Sequence, residues 1–363
     1  MDILYYYTTA ETMKYILTQG DIFATHISYL NDSEEYVNGL RELREVFSGE
    51  SLRELCGTGI KEYLEGEAYE DALKDIPQIY SISFSKEADL LSQWYMYARE
   101  SGVRLGMLFS GEKQNFKIKQ KDAKGLKAPD DKMREAEASL KDVHYFTRIG
   151  MSLEEYTEAT ESIAQIVKEY AEELGVDDFD ANAVRLWKGI APYIKNYEFR
   201  QEREVRLVFD AVIRGASSSY VDLIEYRNGN GVLIPYLDVY REKGWPVVEI
   251  MVGPGRNQDR VFRSICHFVD NNSLKIPEID QKESVRRFMG GMSSYQVEQN
   301  QIEAYCGEID KSVAEGGKII THKSAAYEIL KKKTGREREY LERNYYSNCG
   351  IIVRKSNAPY VFS

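Results

Sequence analysis

The sequence predicts an α+β protein with a mixed or largely antiparallel sheet system and clustered helices, and three observations carry that class. Apolar residues alternate over 79–85, 103–109 and 203–209, the period of half-buried strands. They recur at helical spacing over about 153–174 and 180–194. Strands and helices do not alternate one for one, which favours a mixed sheet over a doubly wound parallel one.

The elements follow in order. Thr8 stands three residues before Glu11, a capping-box spacing, and Met13, Ile16 and Leu17 form one helical stripe ending at Gly20. A strand before this helix and a second at Asp21-Ile22-Phe23-Ala24 complete the opening unit. Asn31-Asp32-Ser33 makes a turn whose Asp32 caps a helix with Tyr36, Leu40, Leu43 and Phe47 on one face. In the 79–85 strand Tyr80, Ile82 and Phe84 face one way and three serines the other. Leu90, Leu91, Trp94 and Ala98 take helical spacing, and Val205, Leu207 and Phe209 form the apolar side of 203–209. Glu202, Glu204 and Arg206 fall on the opposite side of that strand. Further strands are expected at 232–239, 247–252 and 350–354.

These elements divide the chain into a main domain over 1–275, a mostly helical insertion over 276–345 and a returning C-terminal strand within 346–363. Residues 113–132 carry seven lysines broken by Pro129, Asp130 and Asp131, and read as a solvated excursion.

A chain of 363 residues, 43% hydrophobic and 29% charged, can bury a core without disulfides or metals. The formal charge of −11 opposes unspecific attraction to nucleic acid or to an anionic membrane. Cys56, Cys266, Cys306 and Cys349 stand at no zinc or redox spacing, which suits a reducing compartment. No run approaches the ~18 apolar residues that span a bilayer, so the expectation is a cytoplasmic protein with no membrane partner and no metal. His26, His144, His267 and His322 are scattered, at no spacing for a metal site or a Cys-His pair.

Four blocks together resemble the bacterial family of domain of unknown function 2971. They are Tyr5-Tyr6-Tyr7-Thr8 with Tyr29 to Glu35, Ser83-Phe84-Ser85 through Gln93-Trp94 to Tyr97, Phe199 to Leu207, and Ile250-Met251-Val252-Gly253-Pro254. The family's layout is in turn similar to the ADP-ribosyltransferase superfamily. That resemblance implies an ADP-ribosyltransferase-like fold with NAD as co-substrate, and a transferase or NAD glycohydrolase acting as an effector in anti-phage defence or a toxin system.

On that reading a fixed carboxylate stabilises the oxocarbenium-like state of the ribose, and Glu204, then Glu202, are the catalytic candidates. Arg206 is placed to hold the cofactor pyrophosphate, and Tyr6, Tyr7, Thr8, Gln93, Trp94 and Tyr97 to stack and bond its rings. The plainer alternatives are a solvated ladder for Glu202, Glu204 and Arg206, a core role for Trp94, and a tight turn for Gly253-Pro254-Gly255. The competing function is a non-catalytic module that senses a small-molecule nucleotide or a protein partner, with 276–345 as the partner surface.

Overall fold

A computed structural model describes residues 3–30, 34–48, 66–74, 78–98, 102–119, 133–147, 150–175, 186–211, 220–229, 231–276, 345–348 and 351–358. The chain is mixed α/β with mostly antiparallel strand pairing and few helices. In chain order the named elements are β1 (Ile3–Thr9), α1 (Ala10–Gln19), β2 (Asp21–His26), α2 (Glu35–Ser48), α3 (Glu67–Lys74), β3 (Ile79–Ser85), β4 (Gly102–Leu108), β5 (Lys113–Lys119) and β6 (Met133–Asp142). They continue with β7 (His144–Phe146), α4 (Leu153–Leu174), β8 (Ile194–Asn196), β9 (Glu204–Asp210), β10 (Glu225–Gly229), β11 (Val232–Tyr240), β12 (Val247–Val252), α5 (Gln258–Asn271), β13 (Tyr345–Asn348) and β14 (Ile351–Lys355). No described helix is long and apolar enough to cross a membrane.

The contacts divide the chain into two compact units, each built from separated segments. The first takes Met1–Asp21, Glu87–Ser110 and Arg241–Ser363, the second Ile22–Lys86 and Gly111–Tyr240.

In the first unit the strand order is β1-β4-β12-β14-β13. β4 pairs antiparallel with β1 and β12, and β14 runs parallel to β12. α1 starts where Thr9 Oγ1 accepts the Thr12 N–H at 3.2 Å and stops at Gly20, whose φ of 82° is open to glycine. The cap is thus Thr9, one residue beyond the predicted Thr8, because Thr8 is still paired with Val103 in β1. α5 buries Phe262, Ile265 and Val269.

In the second unit β3, β9, β6, β5 and β11 are neighbours in that order, and β2 pairs with both β3 and β11, so the strand path closes on itself. Closure removes the exposed edges an open sheet would leave, apart from β10 appended to β11. The register of β3 on β9 sets Ser83 opposite Arg206 and Ser85 opposite Glu204. A second core lies under α2 and α4, where Tyr36, Leu40, Leu43, Ile163, Trp187 and Ile190 are buried together.

Two expectations need correction here. The lysine-rich stretch is no solvated excursion over its first part: β5 buries Phe116 and Ile118 and is paired on both sides, by β6 and β11. Within the predicted helix at 180–194, residues 186–190 are helical, but Pro192 opens a tighter turn over Ala191–Tyr193 and Ile194 enters β8. The parallel pairing of β8 with β7 wins over helical continuation. The predicted helical insertion lies outside the described residues except for residue 276 and the strand residue Tyr345, while the expected C-terminal strand is β14.

Gly253 tests the packing of the first unit. A Cβ there would lie 2.7 Å from the Trp94 ring and 3.2 Å from the Gly102 carbonyl, and Trp94 is buried against Tyr7 and Met251. Gly253→Ala is expected to lower stability by about 1–3 kcal/mol in a urea titration, as overpacking a filled core does.

Candidate functional site

β9 carries Glu204 and Arg206 on one face, two residues apart, and that face is buried instead of solvated. Arg206 donates from Nε to Glu204 Oε1 at 2.7 Å and from Nη2 to Glu204 Oε2 at 3.0 Å. Its Nη2 also reaches Glu35 at the start of α2, and its Nη1 the Pro192 carbonyl. Lys195 of β8 donates to Glu204 Oε2 at 2.9 Å and to Glu202 Oε2 at 2.8 Å, with Glu35 Oε2 at 3.8 Å. All five side chains are buried, Arg206 to 1% exposure.

The predicted grouping of Glu202, Glu204 and Arg206 is therefore met, but by another route. Glu202 ends the turn Tyr197–Glu202 and does not belong to the strand. Arg203 lies between, at φ 42°, the only non-glycine residue at positive φ among the described residues. That kink lets Glu202 and Glu204 converge on one ammonium. The solvated-ladder alternative fails because α2 and the 192–195 segment supply the partners that cover this face.

Two cations here face three carboxylates, and the carboxylates differ in consequence. Burial pushes Glu204 upward, but Arg206 and Lys195 outweigh it and hold the group at about 2. For Glu202 burial prevails over the attraction of Lys195, and its value rises above the ordinary one. Burial opposes the charge on Lys195 and Arg206, yet Glu204 and Glu35 raise both.

A cleft of about 430 Å³ opens beside Glu204 within the second unit, lined by the cations Lys86, Arg200 and Arg203, by the carboxylates Asp142, Glu155 and Glu158, and by His144, Tyr145 and Tyr197. The Arg203 carbonyl accepts the Lys86 N–H at 3.0 Å, tying the cleft wall to the end of β3. Tyr145 accepts the Glu204 N–H through its hydroxyl at 2.7 Å, and burial keeps that phenol protonated well above its usual range. His144 Nδ1 lies 2.6 Å from Ser162 Oγ of α4, and burial pulls the imidazole below its usual value. Sequence spacing does not reveal Glu35, Lys195, His144, Tyr145 or Ser162, since the pairing of β7 with β8 and the docking of α2 and α4 assemble them. The local signal for Lys195 is its place directly after the apolar run Ile190 to Ile194.

The proposed ring-binding residues belong to the first unit. The Tyr7 hydroxyl donates to the Glu87 carbonyl at 2.9 Å and accepts the Leu90 N–H at 3.0 Å, and burial pushes it up to about 12. Its ring meets Trp94 edge-on at 4.8 Å. Trp94 Nε1 donates to Asp89 Oδ1 at 2.6 Å, so Trp94 has the core role that its helical stripe also allowed. Thr8 and Gln93 are buried, Tyr6 is half-buried, and Tyr97 is 38% exposed. Among the described residues no group of three or more His, Cys, Asp or Glu side chains could hold a metal ion.

The ion network predicts a defined response to acid. Glu204 is depressed in the folded state, so its contribution is complete above the ordinary value of 4.5 and is lost as pH falls through 4.5 toward about 2. Glu202 is raised, so its ionised form costs stability at neutral pH and protonation relieves that cost first. The melting midpoint should hold or rise slightly as pH falls toward 4.5 and drop below it, with the low-pH drop shallower in Glu204→Gln. Lys195→Met, which strands buried carboxylates, should cost about 3–5 kcal/mol at pH 7 by urea denaturation.

Comparison with protein-family models, with curated proteins and with solved structures gives no match for this chain.

Proposed function

We propose that the chain is a nucleotide-binding protein whose ligand occupies the cleft of the second unit, with Glu204 of the buried ion network in its wall. The observation that carries this reading is Arg203. A non-glycine residue at φ 42° is strained by about 1–3 kcal/mol, and such strain gathers at ligand sites. Arg203 and Arg200 line the cleft as cations of the kind that pair with phosphate, beside Lys86, which pairs with Asp142 at 2.5 Å, and the carboxylates Glu155 and Glu158; Tyr145 adds a flat face for a base, while Arg200 already lies 4.2 Å over the Tyr197 ring. The volume of about 430 Å³ lies in the range of small-molecule sites. Glu204 is a wall group here: its two oxygens already accept three bonds from Lys195 and Arg206, leaving little capacity to orient a ribose.

A second reading, ADP-ribosyl transfer or NAD hydrolysis, is favoured by Glu202. Among the described residues its Oε2 accepts from Lys195 while its Oε1 accepts no hydrogen bond. Glu202 thus replaces Glu204 as the preferred carboxylate. The ADP-ribosyltransferase-like fold, membership of the 2971 family, a cytoplasmic location and a role in anti-phage defence or a toxin system form part of that second proposal. A protein partner on 276–345 accompanies the binding-module reading; nearly all of that segment lies outside the described residues.

Calorimetric titration of the full chain with NAD, ADP-ribose and ATP tests both. At least one should bind, and Arg203→Ala should weaken it about 10–100-fold, the loss of a charge-assisted contact. Absence of binding by all three overturns the nucleotide reading. Nicotinamide release from NAD that falls about 10²–10³-fold in Glu202→Gln, with melting not lowered, would establish the transferase reading.

A further inference from the structure

The nucleotide reading leaves Ser162 and His144 without a role, although both line the same cleft. α4 carries several hydroxyl side chains, and they behave differently. Thr157 Oγ1 donates to the Leu153 carbonyl and Thr160 Oγ1 to the Tyr156 carbonyl, each at 2.9 Å, the usual back-bonding of a helical hydroxyl one turn down. Ser162 instead turns its hydroxyl out of the helix to His144 Nδ1 at 2.6 Å. His144 is fixed from the other side by β7, whose parallel pairing sets it opposite Ile194. A hydroxyl held at hydrogen-bond distance from an imidazole in a cleft is the arrangement in which serine gains nucleophilic character.

Two neighbours complete the chemistry. Tyr145, the next residue of β7, also lines the cleft and accepts the Glu204 N–H, which leaves its own O–H as a donor that no described residue takes up. A protonated phenol in that position suits an oxygen on which negative charge develops. Burial keeps the imidazole of His144 neutral, so it is a base at ordinary pH.

We propose that Ser162 and His144 form a nucleophile–base pair that hydrolyses a small carboxylic ester bearing an anionic group, with Tyr145 as donor to the oxyanion. This rests on the cleft reading for the anionic group alone, which Arg200 and Arg203 would hold. Ser162 Oγ attacks the carbonyl carbon while its proton passes to His144 Nδ1. The carbon–oxygen bond to the alcohol breaks, and His144 returns that proton to the leaving alkoxide. Water then adds to the acyl-serine, giving one proton to His144; the carboxylic acid departs, and Ser162 recovers its proton.

The full chain, incubated with a fluorophosphonate and digested, should carry the phosphonyl adduct on the peptide containing Ser162. It should also release 4-nitrophenol from 4-nitrophenyl acetate. Ser162→Ala should abolish the adduct, and His144→Gln should slow labelling about 10²–10⁴-fold. Ser162→Cys, which keeps a nucleophile of similar size, should move reactivity from the fluorophosphonate to iodoacetamide. Absence of a Ser162 adduct in the wild-type chain overturns the proposal, as does an adduct that survives Ser162→Ala. A chain that binds nucleotide but takes no label refutes the hydrolase and keeps the cleft reading. A chain labelled at Ser162 that binds no nucleotide does the reverse.

Discussion

The second unit depends on how the charge of Arg206 is met after burial. A guanidinium at 1% exposure is tolerable only with its donors matched, and here the donors reach two carboxylates and a backbone carbonyl. Each partner comes from a different place: Glu204 from the same strand, Glu35 from the start of α2, and Pro192 from the turn before β8. Misplacing any of these elements would strand a charge in a low-dielectric interior. The network adds little net stability over an apolar core, but it penalises wrong arrangements heavily, which is how a buried polar cluster selects one fold among several.

The first unit uses a related device, with one guanidinium nitrogen, Arg104 Nε, buried without a hydrogen-bond partner among the described residues. Arg104 of β4 is fully buried, donates to the Ala88 carbonyl at 2.6 Å and to Glu249 of β12, and lies 4.2 Å over the Tyr5 ring. Burial would raise Glu249, yet Arg104 and Arg354 pull it below its ordinary value. Arg354 of β14 makes the parallel pairing of β12 and β14 part of the same cluster. Asp89 does similar work nearby, accepting from Trp94, from Ser356 Oγ at 2.6 Å and from the Asn357 N–H at 3.2 Å. Each unit thus fixes its strand pairing with buried charge, in addition to apolar packing.

This explains what was legible in the sequence. Period-two runs marked β3, β4 and β9, and helical spacing marked α4, because in those segments the regularly spaced apolar residues are largely buried. The rule is silent on the other side of β9. Alternation says which side is apolar and nothing about what covers the polar side, so the solvated-ladder alternative for Glu204 and Arg206 stays open until α2 and β8 are set upon them. β5 was hidden for the converse reason, since its lysines mask Phe116 and Ile118. Glu202 was grouped correctly with Glu204 although the grouping argument, strand alternation, was not the operative one; the positive φ of Arg203 has no signature in residue type.

The division of labour among the three carboxylates follows from charge balance. With two cations for three anions, one group must be less well compensated, and geometry selects Glu202: Glu204 receives both Arg206 and Lys195, and Glu35 lies within ion-pair distance of both. Glu202 keeps only one short contact and has its affinity for a proton raised. The cluster thus sets a fully paired carboxylate, Glu204, beside a less compensated one, Glu202. The Glu204 N–H in turn holds the Tyr145 hydroxyl, so the network fixes the position of a phenol that lines the cleft.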